Sequence, residues 1–92
     1  MAIVYIPSLM QKLTNGVSKI DIEGQNLRQV IDNLDSKFPG IKDRLVEVKG
    51  PIPKLKSSIS VAVDGQITTV GLIQKLSENC EIHFLPAIAG GN

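Results

Sequence analysis

The spacing of hydrophobic positions changes several times along the chain, and each change marks an element. "AIVYIP" (2–7) is apolar and largely β-branched, which predicts a strand buried on at least one side and stopped at Pro7. "SLMQKLTNG" breaks the pattern and reads as a loop, with Asn15-Gly16 supplying the positive backbone angles of a tight reversal. In "VSKIDIEG", Ile20 and Ile22 return at alternate positions and Gly24 ends a second strand. The two strands form a hairpin.

From Asn26 the period lengthens. Leu27, Val30, Ile31, Leu34 and Phe38 recur at i, i+3, i+4, i+7 and i+11, one stripe of a helix. Asn26 is the predicted N-cap, because its side chain can accept from a first-turn amide. Pro39-Gly40 ends the helix. "IKDRLVEV" predicts a further short turn with Ile41 and Leu45 inward, and "KGPIPKLKSS" a loop rich in proline and lysine. Ile59, Val61 and Val63 then alternate, the chain reverses at Asp64-Gly65, and Ile67 resumes in a short second arm. "GLIQKLSENC" predicts a brief helical turn or bend, and "EIHFLPAI" the last strand.

A helix between two hairpins must cover one face of a single mixed sheet. The apolar first and last strands belong at its centre, side by side and parallel. The predicted fold is therefore α+β, a β-grasp with a mixed four- to five-stranded sheet under one main helix. Residues 1–86 form the domain and residues 87–92 a flexible C-terminal tail. Alternation turns Val4, Ile6, Ile82 and Phe84 toward the helix and leaves Ile3, Tyr5, His83 and Leu85 on the uncovered face. Apolar side chains there predict a docking surface. The plainer alternative is that loops cover them, or that they are ordinary isolated exposures.

Size and composition narrow the classes. A chain of 92 residues is one domain, able to bury about 60–68% of its unfolded surface in one modest core. Hydrophobic residues make up 42%, which argues against disorder. Tyr5, Phe38 and Phe84 are the only aromatics, so the core is aliphatic. A net charge of +1, without a basic stripe or stacking aromatics, argues against nucleic acid, and Lys49, Lys54 and Lys56 read as a solvated loop. No apolar run reaches membrane-spanning length and "MAIVYIPSL" is too short for a signal peptide, so the expected compartment is the cytoplasm.

Candidate chemistry inside the domain is sparse. One cysteine permits neither an internal disulfide nor a zinc spacing. Cys80 and His83 fall on opposite faces of an extended strand, and a catalytic thiol needs an electropositive pocket. Cys80 is expected as a turn residue and not a nucleophile. Asp32, Asp35, Asp43 and Glu47 are spread over exposed helical positions without paired-carboxylate or metal spacing, so neither a metal nor a bound cofactor is expected.

The end of the chain, "LPAIAGGN", offers more. An extended tail from Leu85 to Gly91 spans on the order of 23–25 Å. Gly90 and Gly91 lack a Cβ and can thread a channel too narrow for other residues. A carboxylate is a poor electrophile until it is converted to a mixed anhydride. An enzyme that adenylates a chain terminus needs that terminus thin, and the diglycine meets the need as a handle for another protein's active site.

The terminal "HFLPAIAGG", together with "IPSLMQKLTNG", "NLRQVIDNLDSKFPGIKDRL" and "SVAVDG", resembles the MoaD/ThiS family of ubiquitin-like sulfur carriers. It is most similar to the branch that supplies sulfur for cysteine synthesis from O-phosphoserine. The resemblance implies that an E1-like enzyme, using ATP, adenylates Gly91. Sulfur transfer then makes a thiocarboxylate for a sulfur-accepting synthase. Gly90 would grant access, and Leu85, Pro86, Ala87, Ile88 and Ala89 would form the docking arm, with His83, Tyr5 and Ile3 on the adjoining face. The acceptor it implies is a PLP-dependent cysteine synthase, or alternatively the large subunit of molybdopterin synthase. A rival of another class is a ubiquitin-like modifier joined to lysines, and a hydrolase built on Cys80 is a distant third.

Asn92 departs from the family pattern, since it ties up Gly91 in a peptide bond. Some relatives carry extra residues that a JAMM-type metalloprotease removes, so a precursor cleaved at Gly91–Asn92 is the expectation. The alternative is a divergent chain that never carries sulfur.

Overall fold

The computed structural model describes residues 1–48 and 50–86. The first strand, β1 (Ala2–Tyr5), and the second, β2 (Lys19–Ile22), run antiparallel as the predicted hairpin, with Val4 opposite Ile20. The main helix, α1 (Leu27–Lys37), follows, and then a one-turn helix, α2 (Ile41–Leu45). Next come β5 (Ile59–Val63), β6 (Gln66–Ile67) and β7 (Glu81–Pro86), preceded by the short pair β3 (Val46–Val48) and β4 (Pro53–Leu55). The five-stranded sheet has the order β2-β1-β7-β5-β6. β1 and β7 are parallel neighbours, with Val4 opposite Ile82, and the other contacts of the sheet are antiparallel. This is the β-grasp topology that the apolar character of the first and last strands predicts.

Local chemistry explains the boundaries. The Gln29 amide donates to Asn26 Oδ1 at 2.9 Å, and Gln29 Oε1 accepts from the Gln25 amide at 2.8 Å. One first-turn donor is thereby satisfied, and Gln29 reaches back to the residue before the N-cap, a variant of the capping box. At the other end, Asp35 Oδ1 accepts from the amides of Gly40 and Lys42 and ties α1 to α2. The reversal between β5 and β6 places Asp64 and Gly65 at φ 51° and 85°, the paired positive angles of a two-residue hairpin turn. Asn15 and Gly16 adopt φ 55° and 85° as expected.

The helical stripe closes on the sheet. Leu27, Val30, Ile31 and Leu34 are buried against Val4, Ile22, Val61, Ile82 and Phe84, while Phe38 packs at the edge of this core. Ile41 and Leu45 are buried as the inward residues of α2. Removing such side chains from water, at about 25 cal/mol per Å² of apolar surface, is the main force holding the helix down.

Three segments depart from the sequence reading. "SLMQKLTNG" is more than a loop: Ser8–Met10 forms a 3-10 turn, Met10 joins the core, and the buried Thr14 hydroxyl donates to the Val17 carbonyl at 2.8 Å. "KGPIPKLKSS" contains β4, which pairs with β3 as a separate two-stranded sheet. Proline and lysine hide this strand, because Pro53 stands at its first position, where a missing N–H costs little. Glu47 accordingly lies on β3 and not on a helix. Finally, Cys80 closes the expected turn, its amide donating to the Ser77 carbonyl at 3.3 Å, but its side chain is also a core residue, in the same buried cluster as Ile82. Lys49 lies outside the described residues, while Lys54 is exposed as expected.

Candidate functional site

The strand that leads to the diglycine is held asymmetrically. On one side β7 pairs with β1 from Ile3–Glu81 to Tyr5–His83, and there the register ends. On the other it pairs with β5 through to Ile59–Pro86. Pro7, which has no N–H to offer, follows β1 at the point where its ladder stops. The last described residues of the chain therefore leave the sheet from its centre while bonded along one edge. Leu85 projects there with 43% of its surface exposed.

The sheet face away from α1 carries the side chains that alternation assigned to it. Ile3, Tyr5 and His83 are half-buried there. Register brings together a row that spans the whole sheet: Lys19 on β2, Tyr5 on β1, His83 on β7, Ala62 on β5 and Ile67 on β6. The Tyr5 and His83 rings stack with centroids 4.2 Å apart and planes 6° from parallel. Lys19 Nζ stands 5.7 Å from the Tyr5 centroid, within cation–π range. Directly opposite side chains in a sheet interact most strongly, so this row is a preorganised unit and not five separate exposures. Ala62 is buried yet absent from the helix-side core, and its small side chain leaves the His83 ring free to lie flat.

Chemically the face is a candidate platform, offering stacking and apolar contact in place of reactive groups. His83 Nε2 lies 3.9 Å from Glu81 Oε1, too far for a hydrogen bond, and its ring is engaged by stacking. Cys80 faces the core on the other side of the sheet, so the structure does not bring Cys80 and His83 together. Burial, with Asp64 nearby, pushes the Cys80 thiol above its ordinary value and keeps it protonated, the opposite of an activated nucleophile. Asp32 pairs with Lys42 at 2.7 Å, and Asp35 caps α2. Among the described residues there is no group of three or more histidines, cysteines and carboxylates that could hold a metal ion.

Sequence reasoning located Ile3, Tyr5, His83 and Leu85 and missed Lys19, Ala62 and Ile67. Alternation around Val61 could have flagged Ala62, but the row itself depends on register, which strand patterns alone do not set. Pro86 is the last described residue, its backbone paired with Ile59. The expectations for Ala87, Ile88, Ala89, Gly90, Gly91 and Asn92 lie outside the described residues.

Known proteins share this arrangement over nearly the full length. The CysO sulfur carrier protein of Mycobacterium bovis is 29% identical over 90 residues, covering 96% of both chains. A crystal structure of the Amycolatopsis orientalis BexX/CysO complex contains a similar chain, with a TM-score of 0.88 and 30% identity over 99% of this chain and 100% of that one. The solution structure of small archaeal modifier protein 1 from Methanosarcina acetivorans is similar at a TM-score of 0.81 and 25% identity, over 98% and 95% of the chains. The model of the ThiS family matches residues 4–91, from the central strand to the second glycine. Ubiquitin-like topology, an open face beside the last strand and a family match that reaches the diglycine agree: the chain belongs to the ThiS family.

Proposed function

We propose that this protein is a sulfur carrier, acted on by enzymes and not itself a catalyst. In this reading Gly91 is first freed by hydrolysis of the Gly91–Asn92 bond, water entering and asparagine leaving, through a JAMM-type metalloprotease. An E1-like enzyme then joins the Gly91 carboxylate to the α-phosphate of ATP and releases pyrophosphate. A sulfur nucleophile attacks the activated carbonyl, AMP leaves, and a thiocarboxylate remains. A synthase takes the sulfur, with a PLP cysteine synthase first in line and the molybdopterin synthase large subunit second. The cytoplasm, with its ATP, suits this sequence of steps.

One observation carries the proposal: a strand fixed at the centre of the sheet is followed in the sequence by a diglycine that the ThiS family match includes. A rigid domain presenting a side-chain-free terminus gives partner enzymes a surface to hold and a backbone to thread. The Amycolatopsis orientalis relative, solved in a complex, supports a carrier that works while bound to a second protein. The test is to incubate a version ending at Gly91 with ATP, sulfide and its matched activating enzyme. The expected product is heavier by one sulfur-for-oxygen exchange in intact mass spectrometry. An unmodified mass would sink the proposal.

The likeness to a small archaeal modifier favours a second reading, conjugation through Gly91 to lysines of other proteins. Both routes share the adenylate. High-mass adducts that disappear when Gly91 is deleted would establish conjugation, whereas thiocarboxylate without adducts leaves carriage alone.

A further inference from the structure

On the side of the molecule opposite the platform, the 3-10 turn Gly71–Ile73 packs against α1 and β4. Two hollows meet along this seam, and both are lined by Arg28 and Leu72. One adds Ile73, Lys75 and Leu76; the other adds Ile31, Val46 and Pro53, with the Asp32–Lys42 pair at its edge. The floor is aliphatic and the rim is cationic. Ile73 is 75% exposed, and Ile52, next to Pro53, is 73% exposed. Ile73 lines the first hollow, so it adds bare aliphatic surface to the groove itself.

Charge chooses the occupant. Asp32 is the one carboxylate lining either hollow, and Lys42 neutralises it at 2.7 Å. Arg28 and Lys75 form no ion pair among the described residues. We propose that this groove docks an acidic segment of a partner protein that carries large aliphatic side chains, its carboxylates meeting Arg28 and Lys75. Burial of the aliphatic side chains over Leu72 and Pro53 supplies the affinity, while the exposed charges set orientation and on-rate. A second copy of this chain fits poorly, because a two-fold contact through the groove sets Arg28 and Lys75 against their own copies. An anionic membrane fits poorly too, since two cations alone hold a domain only weakly at a charged bilayer surface. The sheet lies between groove and platform, so both faces can be occupied at once. Nothing in this proposal depends on sulfur carriage.

The test is an NMR titration of the ¹⁵N-labelled full chain with a blocked hexapeptide alternating glutamate with leucine and isoleucine. The same peptide with lysine for glutamate is the control. Saturable amide shifts centred on Arg28, Leu72, Ile73 and Lys75 are expected with the acidic peptide only. Arg28→Glu with Lys75→Glu, both exposed substitutions, should weaken binding about tenfold or more while leaving the unbound spectrum folded. Equal binding of both peptides, no saturable shift, or shifts centred on Tyr5 and His83 would overturn the proposal. So would groove-mediated dimerisation in sedimentation runs, or retention on phosphatidylserine vesicles without peptide binding.

Discussion

A Cβ built on Gly24 would lie 2.6 Å from Val30 Cγ2 and 2.8 Å from the Val30 amide nitrogen. The side chain could rotate away, but the nitrogen belongs to the first turn of α1 and cannot. The close approach lets β2 hand the chain directly to the helix, with Asn26 already in capping position. Gly24→Ala should therefore cost about 2 kcal/mol through overpacking. In a domain of this size that lowers the melting temperature by roughly 10 °C; an unchanged melt would mean that the junction yields without strain. The sequence announced Gly24 as the end of a strand but not as a contact, because the neighbour that demands it arrives only when α1 folds back.

Elements built from one strong period were legible. Leu27, Val30, Ile31 and Leu34 named the buried face of α1, and the same logic sorted Val4 from Tyr5 and Ile82 from His83. β4 was not legible: three residues beginning with proline carry no period, and pairing with β3 defines the strand. The row across the open face was also hidden, since Tyr5 and His83 are 78 positions apart and meet only through parallel register. Tyr5→Ala and His83→Ala should each cost less than about 1.5 kcal/mol of stability, the range for an aromatic pair. On the proposed carrier route they should weaken binding to an activating enzyme more than Ile73→Ala does, as read by calorimetry on the Gly91-terminated protein. Equal losses from both sides of the molecule would deny the platform its role.

At the scale of the whole molecule, alkaline pH should loosen the fold through two groups. Burial raises the Cys80 thiol above 9.0, so the folded state holds a proton that the unfolded chain releases. The Met1 amino group, raised above 8.0 chiefly by its hydrogen bond to Glu78, acts in the same direction. For both, the contribution is complete below the unfolded value and is lost as pH climbs through the raised folded value. Denaturant melts from pH 8 upward should show falling stability, and Cys80→Ala should flatten the part of the slope that begins near 9.0; identical slopes would place the thiol in contact with water. The overall architecture was the most legible level of all, because two apolar strands at distant positions had few places to go but the middle of one sheet.

That central pairing has a consequence for biosynthesis. β7 leaves the ribosome after every other described strand, yet β1 and β5 meet only across it. A growing chain can form its hairpins early, and residues 74–76 can bond to residues 25–27, but the two halves of the sheet share no strand pairing until Glu81–Pro86 emerges. Quality control is thus built into the topology: a polypeptide cut short before β7 lacks the keystone of its sheet as well as the diglycine, so a truncated chain fails to fold as it fails to be complete.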